Sequence, residues 1–161
     1  MKLLVCNAGS TSLKFKLFIM PGDQVLAEGK VERVGSRDSA VFHFGKPDGF
    51  RILREGQCIP TYTEGIQMFL NCLLSPEYGV LENLQELERV GFKTVLSKGH
   101  YGIHELTPEV LKGMEDYLVV APAHNIPYLE AIRQFQKLTP DAMLVGAFET
   151  AFHTTIPLER K

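Results

Sequence analysis

The residues best equipped for chemistry lie close together near the start of the chain, in Asn7-Ala8-Gly9-Ser10-Thr11-Ser12-Leu13-Lys14. A carboxamide, a glycine, three hydroxyls and a lysine fall within this single stretch. Such a set suits a phosphate-like anion. Gly9 lets backbone N–H groups come close, the hydroxyls of Ser10, Thr11 and Ser12 donate, and Lys14 adds positive charge. The spacing is not that of a P-loop, and Asn, Gly and Ser are also favoured in plain turns. On the residues alone, an anion cradle and a polar hairpin turn both remain open.

The elements that must hold this stretch are legible on either side of it. The apolar run Leu3-Leu4-Val5-Cys6 enters, and the alternation Leu13-Lys14-Phe15-Lys16-Leu17-Phe18-Ile19 leaves. The motif is therefore a tight turn between two strands. Pro21-Gly22-Asp23 signals a turn into a third strand over 24–34, Val41-Phe42-His43-Phe44 forms a fourth, and Lys46-Pro47-Asp48-Gly49 turns into a fifth over 50–54. Strands joined by short turns predict an antiparallel meander. Thr61 with Glu64 makes a capping box, and Ile66, Phe69, Leu70, Leu73 and Leu74 share a helical face that Ser75-Pro76 ends. Leu81, Leu84 and Leu87 continue a shorter helical pattern, and 90–96 reads as a buried strand. Thr107-Pro108 cap a helix with Val110, Leu111, Met114, Tyr117 and Leu118 inside. Asn125 and Pro127 start another, with Leu129, Ile132, Phe135 and Leu138 inside, before Pro140 and a last buried strand over 143–148. The order predicts an α/β fold, a mixed sheet with an N-terminal antiparallel β-meander and flanking helices.

Composition bounds the function. With 161 residues, 45% of them hydrophobic and 22% charged, the chain has material for one domain with a core. A formal net charge of −2 gives no broad basic surface for nucleic acid, so any anion site must be local. Cys6, Cys58 and Cys72 lack metal-ligand spacing and lie in or beside apolar runs, which predicts reduced core or near-core residues in a cytoplasmic protein. The first apolar run stops at Asn7, too short for a signal segment, and no stretch is long enough to span a bilayer, so no membrane partner is expected. His43 reads as a sheet residue. His100 and His104 would face together on a helix and bind zinc there, but Gly102 favours a loop over 97–104. Glu82, Glu86 and Glu88 read as a solvated face. His124, taken alone, is a helix-start histidine bonded to the backbone.

The same residues resemble a known family. The opening is similar to the acetate kinases and their propionate and butyrate kinase relatives, which begin with a strand and Asn-Ala-Gly-Ser-Ser-Ser-Leu-Lys. Thr11 replaces the middle serine and keeps its hydroxyl. The likeness continues, in the family's order, through Ala27-Glu28-Gly29-Lys30-Val31-Glu32-Arg33-Val34-Gly35, Ala121-Pro122-Ala123-His124-Asn125 and Phe148-Glu149-Thr150-Ala151-Phe152-His153. The resemblance implies a ribonuclease-H-like, actin-type ATPase domain. It implies phosphorylation of a short-chain carboxylate to an acyl phosphate, with ATP as co-substrate and Mg²⁺ as cofactor. It assigns Asn7, Ser10 and Ser12 to the phosphates, Lys14 to the following strand, and His124 to the transferring phosphoryl group. Asn7 and Glu149 fall to Mg²⁺, and Lys93 stands at the position of a substrate-gripping arginine.

Several positions depart from that pattern. Where the family reads Val-Gly-His-Arg-Val-Val-His-Gly-Gly, this chain has Phe92 and Leu96 for the histidines and Lys93 for the arginine. Lysine cannot reproduce the arginine's two parallel bonds, and losing one preorganised donor costs about 10²–10³ in rate. Glu149 replaces an aspartate, and its extra methylene moves the carboxylate by on the order of 1 Å, a shift that can cost about 10²-fold. Family members are also much longer and carry a second, nucleotide-holding domain. The resemblance thus implies that residues 1–161 are one domain, the N-terminal half of such a protein. A C-terminal domain or second polypeptide would complete the site, the uncovered surface would favour homo-oligomers, and the isolated chain would be inactive. The alternative is a diverged, non-catalytic anion- or nucleotide-binding or regulatory domain of the same fold.

Overall fold

The computed structural model describes residues 1–9, 11–22, 24–95, 102–116 and 122–148, with side chains at all of these except 93–95, 102–104, 116, 122–127 and 147–148. The first five strands are β1 (Lys2–Ala8), β2 (Ser12–Ile19), β3 (Gln24–Glu32), β4 (Ala40–Gly45) and β5 (Arg51–Gln57), each antiparallel to the next. The expected meander is present, and its last strand runs three residues past the expected end. Period-two alternation decides which side chains go inward. Leu4, Cys6 and Ala8 of β1, Leu13, Phe15 and Leu17 of β2, and Phe42 and Phe44 of β4 are buried, whereas Asn7, Lys14, Lys16 and Glu28 are exposed.

Helix α1 (Tyr62–Leu73) closes the inner face of the meander. Its capping box is formed: the Thr61 N–H donates to Glu64 Oε2 at 2.9 Å, and the Thr61 hydroxyl donates to the same carboxylate. Those bonds, the hydroxyl's above all, hold the Glu64 carboxyl below its ordinary range. Phe69 stacks flat on Phe15, with centroids 4.4 Å apart, and tilts against Phe44 at 5.9 Å. Gly29 makes room for it, since a Cβ there would stand 2.6 Å from Phe69 Cε1.

The second half adds β6 (Leu87–Val95), β7 (Gly102–Glu105), α2 (Pro108–Asp116), α3 (Pro122–Leu138) and β8 (Met143–Phe148). β6 pairs parallel with β1 and β8 pairs parallel with β6, while β7 runs antiparallel along β8. Among the described residues this gives one eight-stranded sheet in the order β5-β4-β3-β2-β1-β6-β8-β7. α3 packs on β1 and β6 and beside α1, with Phe135 edge-on to Phe92 at 5.8 Å.

Several sequence expectations need correction. The 81–87 pattern is only a 3-10 turn, Leu84–Glu86, and Leu87 already begins β6; a spacing of three is the repeat of a 3-10 turn, not of an α-helix. Glu86 is more than a solvated residue: it accepts from the Glu82 and Asn83 N–H groups and pairs with Lys2 at 2.5 Å. Gly102 does exclude a helix, but residues 102–104 belong to β7 and not to a loop, because they find partners along β8; residues 97–101 lie outside the described residues. α3 begins at Pro122, three residues before Asn125, since proline at a first helical position forfeits no bond. Tyr117 and Leu118 lie outside the described residues. Cys6 and Cys72 are buried, but Cys58 is exposed, its neighbour Ile59 having taken the core position. His43 is a half-buried sheet residue, 3.5 Å from Glu32. No helix among the described residues is long and apolar enough to cross a membrane.

Gly29→Ala should drive the new methyl into the Phe69 ring and destabilise the fold by about 1–3 kcal/mol. Urea unfolding measures this directly, and an unchanged midpoint would contradict the stacking described.

Candidate phosphate-binding edge

β1, β6 and β8 run parallel, so their carboxyl ends share one edge of the sheet. In open α/β sheets that edge is where ligands enter. Asn7 stands one residue past the last β1–β6 pair, Cys6↔Phe92, where the ladder has ended. The Lys93 backbone lies near the end of β6, in register with Ala147 of β8. α3 runs back from this edge to the start of β8, so its first turn, which contains His124, lies there too. One turn further on, the Tyr128 hydroxyl donates to Asn7 Oδ1 at 2.8 Å.

The loop between β1 and β2 is tightly closed. The Gly9 N–H donates to the Ser12 carbonyl at 2.8 Å, beside the register pairs Ala8↔Leu13 and Asn7↔Lys14. A Cβ at Gly9 would stand 2.7 Å from Ser12 Oγ, so a larger residue would push the serine aside. The Tyr62 hydroxyl, from the start of α1, donates to the Gly9 carbonyl at 2.7 Å. The Val34 N–H donates to the Thr11 carbonyl at 2.9 Å. Burial, together with the nearby Glu130 carboxylate, pushes the Tyr62 phenol up to about 12, so it remains a protonated donor. Glu130 itself accepts from the Thr63 N–H at 3.4 Å.

Outward, Asn7 and Lys14 open onto a concavity of about 940 Å³ on the exposed side of the meander, which Phe18, Lys30, His43 and Leu53 also line. Lys30 is paired with Glu32 at 2.8 Å, and His43 faces the same carboxylate. Among the described residues the Lys14 ammonium, unlike that of Lys30, has no side-chain hydrogen bond or ion pair. Cys6, on the inner face of β1, is fully buried and its thiol is pushed far up by desolvation, which makes it a packing residue and not a nucleophile.

Of the residues singled out from the sequence, Asn7, Ser12 and Lys14 are together at this loop, and the backbones of Lys93 and His124 lie at the same edge. Ser10 and Glu149 lie outside the described residues, as does any joint metal site of Asn7 and Glu149. Among the described residues no cluster of three His, Cys, Asp or Glu side chains could hold a metal ion. Phe92 is buried against Phe135, so that departure fills core space. Sequence reasoning missed Tyr62 and Tyr128. The available signal was a tyrosine next to a helix cap and another four residues after His124, since a buried phenol seeks a polar partner.

A family model described as the acetokinase family matches residues 2–161. The acetate kinase of Bacteroides fragilis is 37% identical over 158 residues, and that of Desulfitobacterium hafniense 39% over 159. Each match covers 98% of this chain and 39% of the relative, so the chain spans about two-fifths of the length of the curated relatives it matches. The crystal structure of Porphyromonas gingivalis acetate kinase superposes with a TM-score of 0.87 at 33% identity, over 98% of this chain and 39% of that one. A propionate kinase from Francisella tularensis gives 0.81 at 25% identity, over 97% and 38%.

The Tyr62 environment is directly testable. Glu130→Gln should lower the Tyr62 ionisation from about 12 without restoring the ordinary value, because burial is the larger cause. An NMR titration of the Tyr62 ring measures it, and a full return to the free-tyrosine value would contradict burial as the main cause.

Proposed function

The chain belongs to the acetokinase family and shares the actin-type ATPase fold of the acetate kinase structures it matches, and from that we propose that it is the phosphate-binding N-terminal domain of a carboxylate kinase. In the proposed reaction a short-chain carboxylate oxygen attacks the γ-phosphorus of ATP. The bond from that phosphorus to the β–γ bridging oxygen breaks, and ADP leaves with the electron pair, giving an acyl phosphate. Two anions must meet, so positioning and charge neutralisation supply most of the catalysis.

Within this reading Asn7, Ser10, Ser12 and Lys14 hold the phosphates. His124 stabilises the transferring phosphoryl group, and Lys93 faces the carboxylate as a single cation in place of an arginine fork. Mg²⁺ bound to ATP neutralises phosphate charge and keeps mostly phosphate and water ligands, with Glu149 as this chain's candidate contribution. The described residues do not by themselves make such a metal site, because they form no cluster of three His, Cys, Asp or Glu side chains, and Glu149 lies outside them. The rest of the nucleotide contacts, and the exclusion of water, fall to a C-terminal domain or second polypeptide.

The observation that carries the reading is the closed β1–β2 loop, with Asn7 and Lys14 side by side at the edge where the parallel strands end and α3 begins. Lys93 is the feature that favours the alternative, a relative that binds anions without turnover. With ATP, Mg²⁺ and acetate, propionate or butyrate, the 161-residue chain alone should form no hydroxamate-trappable acyl phosphate. Calorimetry should nevertheless detect weak acetyl phosphate binding that Asn7→Ala removes. Robust turnover by the chain alone would overturn the incomplete-site reading, and binding unaffected by Asn7→Ala would overturn the site.

A further inference from the structure

Among the described residues the sheet ends in two open edges, β7 with four residues and β5 with seven. Four residues make a poor template, whereas seven present a usable row of backbone groups. The hairpin before β5 shows which groups face outward. The Lys46 N–H donates to the Phe50 carbonyl at 3.0 Å, so Phe50 faces β4. Backbone direction alternates along a strand, so Ile52 and Arg54, the register partners of Phe44 and Phe42, also face β4. Arg51, Leu53 and Glu55 therefore turn their N–H and C=O groups to the open side. In keeping with this, the Glu55 carbonyl accepts from the side chain of Gln57 at 3.0 Å. Leu53 is 57% exposed, the most exposed large apolar side chain among the described residues.

We propose that β5 pairs antiparallel with β5 of a second copy of this chain, about a two-fold axis at Leu53, so that the two sheets join edge to edge. This pairing sets Leu53 against Leu53, and Arg51 against Glu55 of the second copy, twice by symmetry. All of these residues have outward backbone groups, so each pair can exchange both N–H···O=C bonds. On the other face Ile52 meets the aliphatic stem of Arg54 of the second copy. The proposal does not draw on the phosphate-site reading.

Charge and shape select this register over its neighbours. An axis at Ile52 would place Leu53 opposite Arg51 and leave Glu55 without a cation. An axis at Arg54 would set that arginine against itself and Leu53 against Glu55. Only the axis at Leu53 joins apolar with apolar and opposite charges with each other. Arg51 Nη1 already donates to the Lys46 and Phe50 carbonyls, at 2.6 and 2.8 Å, which steadies the guanidinium. Its other nitrogens are left to bond a carboxylate. Gly56, at φ 63°, and the register shift in the β4–β5 ladder end the regular strand just beyond Glu55. So short a ladder buries less than the ~1,200 Å² of a stable interface, which makes the dimer weak and concentration-dependent.

The test is analytical ultracentrifugation of the 161-residue chain over a concentration series at low salt, where a reversible monomer–dimer equilibrium is expected. Arg51→Glu alone and Glu55→Arg alone each set like charges opposite one another twice, and each should weaken dimerisation at least about tenfold. An equimolar mixture of the two variants rebuilds both opposite-charge pairs in a heterodimer. It should return the affinity to within about threefold of the unaltered chain. Self-association through any other surface would show no such rescue. Urea unfolding establishes that both variants are folded. Should either fail to fold, Leu53→Lys, at an exposed position, takes its place, and loss of the dimer is the expected result. A chain that stays monomeric at every concentration would overturn the proposal. So would dimerisation unchanged in the single variants or in Leu53→Lys, or two folded charge variants that fail to recover when mixed.

Discussion

Everything at the candidate site depends on the register of β1 against β2. One face of this pair carries Leu4, Cys6, Ala8, Leu13, Phe15 and Leu17, all buried. A slip of one residue would send that set to solvent and bring Asn7 and Lys14 into the core. The apolar face therefore fixes Asn7↔Lys14 as neighbours on the other side. The same packing seats α1, through Phe69 on Phe15 and over Gly29. Seating α1 in turn brings Tyr62 to the Gly9 carbonyl. Core packing and loop geometry are thus consequences of a single alternation pattern.

Electrostatics then separate the loop from the larger concavity beside it. The chain's net charge is −2, so an anion can be held only where cations are locally uncompensated. On the concave face Glu32 serves both Lys30 and His43, and its hydrogen bond to Lys30 keeps the carboxyl ionised below its ordinary range. Lys14 has no such partner among the described residues and sits next to Asn7. The volume of the concavity is therefore a poor guide to where an anion binds, and the inventory of unpaired donors is a better one.

The legible part of this fold follows from elements with one covered face or a marked end. Alternation exposed the five-stranded meander, and Thr61 with Glu64 marked the start of α1 because both partners of the capping box are local. β7 was hidden because Gly102-Ile103-His104-Glu105 has no apolar alternation and is held by its neighbour β8. The start of α3 was missed because two prolines compete for the first position, Pro122 and Pro127, and the earlier one has it. At the site, Asn7, Ser12 and Lys14 could be read because they are adjacent in sequence. Tyr62 and Tyr128 could not, since their bonds span 53 and 121 residues and only the packing of two helices brings them to the loop.

The most direct measurement of the central claim is backbone amide shift mapping of the full chain as inorganic pyrophosphate is added. If the loop at the parallel-strand edge is the anion site, the largest changes should fall at residues 7–14, with smaller ones at 93–95 and 123–125. Changes centred on Lys30, His43 and Arg51 across the concave face, with the loop silent, would contradict it.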